Sequence, residues 1–413
     1  MGSAPAIAAA SPTRSADAPL PADLEVRVPV LDGVRGLAIG LVFMHNLYGE
    51  KLSTNTVDFA VRCLFKTGWI GVDLFFVLSG FLISGILLDA VGNTHYFRDF
   101  YARRVLRIFP LYYVALCFLF FVLPHINLAT PKEIADLHEI RWWYWGYAVN
   151  YAAGLYPNVQ FYTVGFWSLA VEEQFYLIWP LVVLYCSRRT LARACVAILI
   201  LGVLLRSVWL VSDFHAKLVL ISLPTRLDGF AVGALLALAA RAQGLRHWWP
   251  TIRRVGLWAL PIAVVTAFTD EMGWRGNYLK ATIGFLALAL VFGALIAAAL
   301  LAPTSSRTHR VFAHPVMRWL GKYSYAMYMF HGFVYAVLVR KVPIVNTFGD
   351  RLGSPALGAI AFLIIAASLT AVAAYASWHL FEKHFLRLKR FFPRARLRES
   401  SFPAAVEEVA PLA

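Results

Sequence analysis

The chain has 413 residues, 60% of them hydrophobic and only 15% charged, with a mean hydropathy of +0.64. A water-soluble globular protein of this size would expose far more charge, so the balance excludes that class and points to repeated membrane-spanning helices. The net charge of +15 lies in basic residues that flank apolar runs, which reads as membrane topology and not as a nucleic-acid surface.

Residues 1–28 are rich in Ala, Pro and Ser without a long apolar core, and read as a disordered tail rather than a cleavable leader. Apolar runs then predict spans near 31–48, 68–90, 105–124, 163–186, 191–211, 218–240, 255–269, 281–302, 319–339 and 356–380, with 255–269 the weakest. A further apolar segment, 142–157 (WWYWGYAVNYAAGLYP), is short, aromatic and glycine-bearing. If it does not cross, the inside loops collect Arg98, Arg103, Arg104 and Arg107, then Arg188, Arg189 and Arg193, then Arg241, Arg246, Arg253 and Arg254. Arg307, Arg310, Arg318 and the basic LRLKRFFPRARLR tail follow on the same side, as the positive-inside rule demands. If it crossed, every later loop would invert. The expectation is therefore an all-α polytopic membrane protein of about ten transmembrane helices in one bundle, with both termini cytoplasmic and 142–157 interfacial or re-entrant. Residues 386–413 form a basic, mostly disordered cytoplasmic tail in this reading. The four cysteines form no CxxC or disulfide framework; Cys117, Cys186 and Cys195 fall in or beside spans and Cys63 in a loop, all read as packing residues.

Ionisable residues inside these runs carry the functional signal. An Asp at the centre of a spanning helix costs about 2.5–3.5 kcal/mol by insertion scales, so such groups face a cavity or a partner. Asp32, Arg35 and His45 lie on the first run, Asp73 on the second, Glu172 and Glu173 on the fourth, Arg226 and Asp228 on the sixth and His331 on the ninth. Helical rise divides them into two centres. An acid/His group of His45, His331, Glu172, Glu173, Asp73 and Asp228 lies near mid-depth or in the outer half, and an arginine group of Arg35, Arg103, Arg104 and Arg107 lies at the inner face.

His45 in a low-dielectric bundle can act as a general base, although a lone histidine is more often a hydrogen-bonded structural one. Arg104 and Arg107, three apart, share a helix face and suit the phosphates of a cytoplasmic ligand; a topology anchor explains them equally well. Glu172 and Glu173 are about 100° apart on a helix, so both cannot face one point. Asp228 can pair locally with Arg226, and Asp73 can cap or pair in the bundle. Ser79 and Ser84 are weak nucleophile candidates, since serines commonly hydrogen-bond helix to helix in membranes. With no glycine-rich phosphate loop, HExxH or paired-cysteine motif, no metal is expected.

The motifs LDGVRGLAIGLVFMH, GWIGVDLFFVLSGFLIS, FYARRVLRIFPLYY, FWSLAVEEQFYLIWP, RLDGFAVGALLA and GKYSYAMYMFH together resemble the membrane acyltransferase-3 family, over about residues 29–385. The first, third and fourth are specific in combination. The resemblance implies a ten-helix O-acyltransferase domain over 29–385 that modifies a surface or extracytoplasmic glycan of the cell envelope, with acetyl-CoA as the default donor and no permanently bound cofactor. It implies a role in transfer for His45 with Arg35 before it, acyl-CoA binding by the Arg104 and Arg107 pair, and an acidic motif at Glu172 and Glu173 with a late-helix histidine at His331. With the residues' own positions this gives a candidate site of catalytic His45, Glu172, Glu173 and His331, acyl-CoA-binding Arg104, Arg107, Arg103 and Arg35, and substrate-orienting Asp73, Asp228 and Arg226. Two departures stand out: nine residues separate Arg35 from His45 where the family has ten, leaving Asn46 at the aligned position, and no room remains for the soluble esterase-like domain of some relatives. The expected partners are membrane lipids, acyl-CoA and a glycan or glycoside, in the inner (plasma) membrane. The competing reading is a proton-coupled transporter or flippase with the same His and Glu as a proton relay. Against it stand the absence of a convincing internal repeat and the fit of Arg104 and Arg107 to a phosphorylated donor.

Overall fold

A computed structural model describes residues 28–47, 55–156, 165–212, 217–268, 278–341, 351 and 354–393, and every regular element among them is helical. The expected tails at 1–27 and 394–413, and the predicted span ends at 48, 163–164 and 269, lie outside the described residues. In chain order the helices are α1 (Pro29–Asn46), α2 (Thr56–Lys66), α3 (Gly71–Ala90), α4 (Tyr96–Cys117), α5 (Pro131–Glu139), α6 (Arg141–Trp145), α7 (Val149–Leu155), α8 (Phe166–Tyr185) and α9 (Arg188–Val211). Then come α10 (Leu218–Ile221), α11 (Leu223–Ala242), α12 (Leu245–Phe268), α13 (Phe285–Leu301), α14 (Arg307–Phe312), α15 (Pro315–Lys341), α16 (Pro355–Ser377) and α17 (Lys383–Arg387).

Seven stretches are helical, long and apolar enough to cross a membrane: Thr56–Ala90, Tyr96–His125, Arg188–Val211, Leu218–Ala242, Leu245–Phe268, Lys280–Leu301 and Pro355–Phe391. The chain is thus a multi-pass, all-α membrane protein. Three other long helices, α1, α8 and α15, fall outside that set because polar groups dilute their apolar runs. Those groups include Asp32, Arg35 and His45 on α1, Glu172 and Glu173 on α8, and Lys322 and His331 on α15. The helices least typical of a lipid environment are the ones that carry the candidate chemistry.

The aromatic segment forms α6 and α7, of five and seven residues. At about 1.5 Å per residue, neither rises more than roughly a third of a 30 Å hydrocarbon core. The break between them passes through Tyr147 at φ 52°. Backbone groups freed by a break at membrane depth need partners from the protein. Tyr112 on α4 donates to the Tyr144 carbonyl at 2.7 Å, and the amide of Gln174 on α8 donates to the Tyr147 carbonyl at 2.8 Å. Gln174 also holds Asn150, whose own amide reaches the Ile221 carbonyl at 3.1 Å.

Two close helix pairs set the frame. α1 and α15 run parallel, with Gly36 against the Met317 carbonyl and Gly321 against the Asp32 carbonyl; a Cβ at either glycine would overlap that backbone. α3 and α11 also run parallel, pinned at one end by Asp73 and Arg226 and at the other by a bidentate Asp89–Arg241 pair with both contacts at 2.6 Å. Cys63 lies on helix α2, not in a loop. The amphipathic sequence TVDFAVRCLFK is too polar for a hydropathy scan, but the Asn55 side chain caps it by accepting from the Val57 N–H at 2.9 Å. All four cysteines are free. After α16 the chain continues through a π-helical turn (Trp378–Glu382), α17 and a 3-10 turn (Leu388–Phe391), so 386–393 is folded against the bundle.

Candidate active site

A cavity of about 400 Å³ opens at the basic end of the bundle, between α1, α3, α4, α8, α15 and the turns after α16. Its mouth carries Arg35 from α1, Arg103, Arg104 and Arg107 from α4, Lys322 from α15 and Lys389 from the 3-10 turn. Three residues per step on α4 bring Arg104 and Arg107 to one face, as the sequence predicts. Arg35 pairs with Asp32 at 3.0 Å, one turn before it on α1. The Arg104 guanidinium lies 5.8 Å from the ring centres of both Phe100 and Tyr176, and its Nε is buried without a hydrogen-bond partner.

Hydroxyls and a carboxylate line the inner part. Glu172 accepts from Ser79 through Oε1 at 3.1 Å and from Tyr176, one turn on, through Oε2 at 3.0 Å; Ser79 and Tyr176 also meet at 3.1 Å. Ser168 and the Tyr328 hydroxyl form a second close hydrogen-bonded pair on the same cavity. Glu172 therefore joins the arginine group, and its hydrogen bonds go to Ser79 and Tyr176 rather than to His45. Glu173 faces another way, as the 100° offset requires, with Oε1 buried and without a hydrogen bond. Ser84 accepts from the Trp179 indole at 2.8 Å, a helix-to-helix bond that leaves it outside the cavity lining.

His45 and His331 lie beyond the lining. His45 is ten residues past Arg35 on one helix, about 15 Å along its axis. Its Nδ1 is 3.0 Å from the Lys66 carbonyl. A carbonyl only accepts, so Nδ1 carries the proton and in the neutral ring Nε2 is the basic nitrogen. His331 is set the same way by the Tyr328 carbonyl at 2.7 Å, and its Nε2 is buried without a hydrogen bond. The His331 ring lies 5.4 Å from the Tyr328 ring and 6.2 Å from Phe43, between the inner part of the cavity and the end of α1 that carries His45.

Asp73, Arg226 and Asp228 form a different centre. Asp73 pairs with Arg226 at 2.5 Å, and Asp228 pairs with Arg206 of α9 at 3.0 Å. Local pairing of Asp228 with Arg226 is therefore not what the fold selects: the two project from neighbouring positions of α11, and each meets a different helix. Arg206 also donates to the Thr225 and Thr282 carbonyls, the latter at 3.0 Å. The Arg226 guanidinium stacks 3.9 Å from the centre of the Phe285 ring, and Lys280 sits 4.1 Å over Trp69.

Sequence reasoning did not single out Arg206 or Lys280, nor Tyr176, Ser168, Tyr325, Tyr328, Lys322 and Lys389 of the cavity. Arg206 carried a signal, the one charge in the run VAILILGVLLRSVWLV. Tyr176 carried a weaker one, four residues after Glu172 on a helix. Ser168, Tyr325 and Tyr328 carried none, because tyrosines and serines are ordinary in membrane helices, while Lys280, Lys322 and Lys389 read as charges at span ends or in the basic tail.

The model of an acyltransferase-domain family, acyltransferase-3, matches residues 28–379. The chain is 29% identical over 382 residues to a putative peptidoglycan O-acetyltransferase, YrhL, of Bacillus subtilis, covering 86% of this chain and 54% of that protein. It is 29% identical over 366 residues to the peptidoglycan O-acetyltransferase OatA of Listeria monocytogenes, covering 82% and 54%. A putative O-acetyltransferase of Staphylococcus aureus, SACOL0978, is 26% identical over 329 residues, covering 74% and 50%. The chain thus spans about half the length of the curated relatives it matches. No solved structure matches it. With the family model spanning α1 to α16 and taking in the helices that build the cavity, the chain belongs to the acyltransferase-3 family.

Proposed function

We propose that this protein is an integral-membrane O-acyltransferase that moves an acyl group, acetyl by default, from cytoplasmic acyl-CoA to a hydroxyl of an extracytoplasmic glycan. The observation that carries the reading is that the cavity described above is lined both by a cluster of basic residues and by hydroxyls beside Glu172. In this reading the chain crosses the inner (plasma) membrane ten times with both termini in the cytoplasm, and the cavity mouth faces the donor. The membrane domain covers 29–385. The names of the bacterial relatives make peptidoglycan the first acceptor to test.

Arg104 and Arg107 hold donor phosphates as guanidinium forks, with Arg35 and Arg103 beside them. The donor arm then runs past Ser79, Glu172 and Tyr328 and carries the acyl thioester towards the end of α1 that bears His45. The Nε2 of His45 takes the proton of the acceptor hydroxyl as its oxygen attacks the thioester carbonyl. The C–O bond forms, the C–S bond breaks, and the departing thiolate takes a proton, giving the ester and free CoA thiol. Glu172, bonded to Ser79 and Tyr176, shapes the donor end of this path, while Glu173 and His331 supply polar groups beside it. Asp73, Arg226 and Asp228 hold the helices that frame the acceptor side.

Transfer of label from radiolabelled acetyl-CoA in inverted membrane vesicles tests the reading, with wild type and His45→Ala at matched expression. Label on glycan or lipid-linked material should appear with wild type and fall by roughly 10²–10⁴-fold in the variant, the range for loss of a general base. Equal transfer by the two would remove His45 from the chemistry.

A further inference from the structure

We propose that the turn after α17 completes the donor site, with Lys389 taking a phosphate of the coenzyme A donor. The proposal rests on the acyl-CoA reading above but concerns a part of the chain outside the family model, which ends at residue 379.

Three observations lead to it. Leu386 and Lys389 line the same cavity as Arg104 and Arg107, although they come from the far end of the chain. The turn is tied to α4 by Arg103, whose Nη1 donates to the Phe392 carbonyl at 2.9 Å across 289 residues of sequence. This bond holds the stretch that carries Lys389 beside the arginines of α4.

Charge supplies the third observation. The cavity is lined by six basic residues (Arg35, Arg103, Arg104, Arg107, Lys322 and Lys389) and two acidic ones, Asp32 and Glu172. Asp32 is engaged by Arg35, and Glu172 by Ser79 and Tyr176. The Lys322 ammonium rests 4.9 Å and 5.1 Å from the ring centres of Tyr323 and Trp378. Lys389 has no such partner among the described residues. Cations gathered at one mouth repel each other in a medium of reduced dielectric, and a polyanion removes that penalty.

Coenzyme A fits by charge. It carries one phosphomonoester, at about −1.5 to −2 near pH 7, and a pyrophosphate bridge that adds two more negative charges. The excess of six basic over two acidic groups has the matching size and sign. A lysine suits this place, because a flexible ammonium follows a phosphate without demanding the planar geometry of a guanidinium fork.

The test is equilibrium binding of tritiated acetyl-CoA to the full chain in detergent, for wild type, Lys389→Gln and Lys389→Arg, each checked for an unchanged melting temperature. Loss of one charge-assisted phosphate contact should weaken binding about tenfold in Lys389→Gln. Lys389→Arg should stay within about twofold of wild type, since the charge is kept. Wild-type affinity in Lys389→Gln, or equal weakening in both variants, would overturn the assignment of Lys389 and leave the donor reading standing. A wild-type protein that binds no acetyl-CoA would instead overturn the donor reading, and this proposal with it.

Discussion

The cavity at the basic end and the ion pairs of Asp73, Arg226, Asp228 and Arg206 look alike as sequence, since each is a set of charges inside apolar runs. In the fold they are opposites. The four ion-paired residues are almost wholly buried, with side-chain exposures of 6%, 3%, 3% and 0%, and each carboxylate meets its own arginine. The cavity is open, and its cations outnumber its acids. A matched, sealed set of charges holds helices in place, whereas an unmatched, accessible one is suited to a charged ligand.

The largest effect that separates the two regions is one of stability. Arg206→Leu leaves Asp228 buried with its ion pair gone and should destabilise the fold by about 3–5 kcal/mol, read as a fall in thermal unfolding temperature in detergent. Replacing Asp228 by Leu as well removes the stranded charge and should recover much of that loss. Should the double variant be no better than the single one, the pair would not be the source of the effect.

A smaller effect of a different kind belongs to the cavity. Arg107→Gln should weaken acetyl-CoA binding by about 1.5–3 kcal/mol, the worth of a charged hydrogen bond, and leave the melting temperature where it was. A melting temperature that falls with unchanged affinity would move Arg107 from the ligand-binding region to the structural one.

The smallest effect calibrates both. Glu133 on α5, outside the membrane spans, meets Arg340 at 2.5 Å and 3.0 Å, and this hydrogen bonding holds its carboxyl down at about 2, below the ordinary value of 4.5. Both side chains are about a quarter exposed, which limits the pair to roughly 0.2–1 kcal/mol. Because the folded-state value is depressed, the contribution is fully present above about pH 4.5 and is lost as pH falls towards about 2. Glu133→Gln should therefore melt slightly below wild type near neutrality, and the gap should close on acidification. A gap that does not change with pH would rule out the carboxylate charge as its cause.

Composition and hydropathy periodicity alone establish a multi-pass helical membrane protein, because the cost of placing backbone and charge in hydrocarbon acts on every residue of every span. Charge bias around 142–157 predicted a segment that does not cross, and α6 and α7 are indeed too short to do so. The helical repeat placed Arg104 and Arg107 on one face and separated Glu172 from Glu173, since both facts follow from angles within a single helix.

Contacts between helices were another matter. Depth along a helix axis grouped Glu172 with the histidines, but the side chain of Tyr176 and the approach of α3 turn it to the arginine side. Asp228 pairs with Arg206 and not with its near neighbour, because Arg226 is taken by Asp73 from another helix. Lys389 reaches the cavity only because the helical run continues past α16 and Arg103 ties its end to α4. Local sequence decides which residues share a face of one helix; which helices that face meets depends on the packing of all of them together.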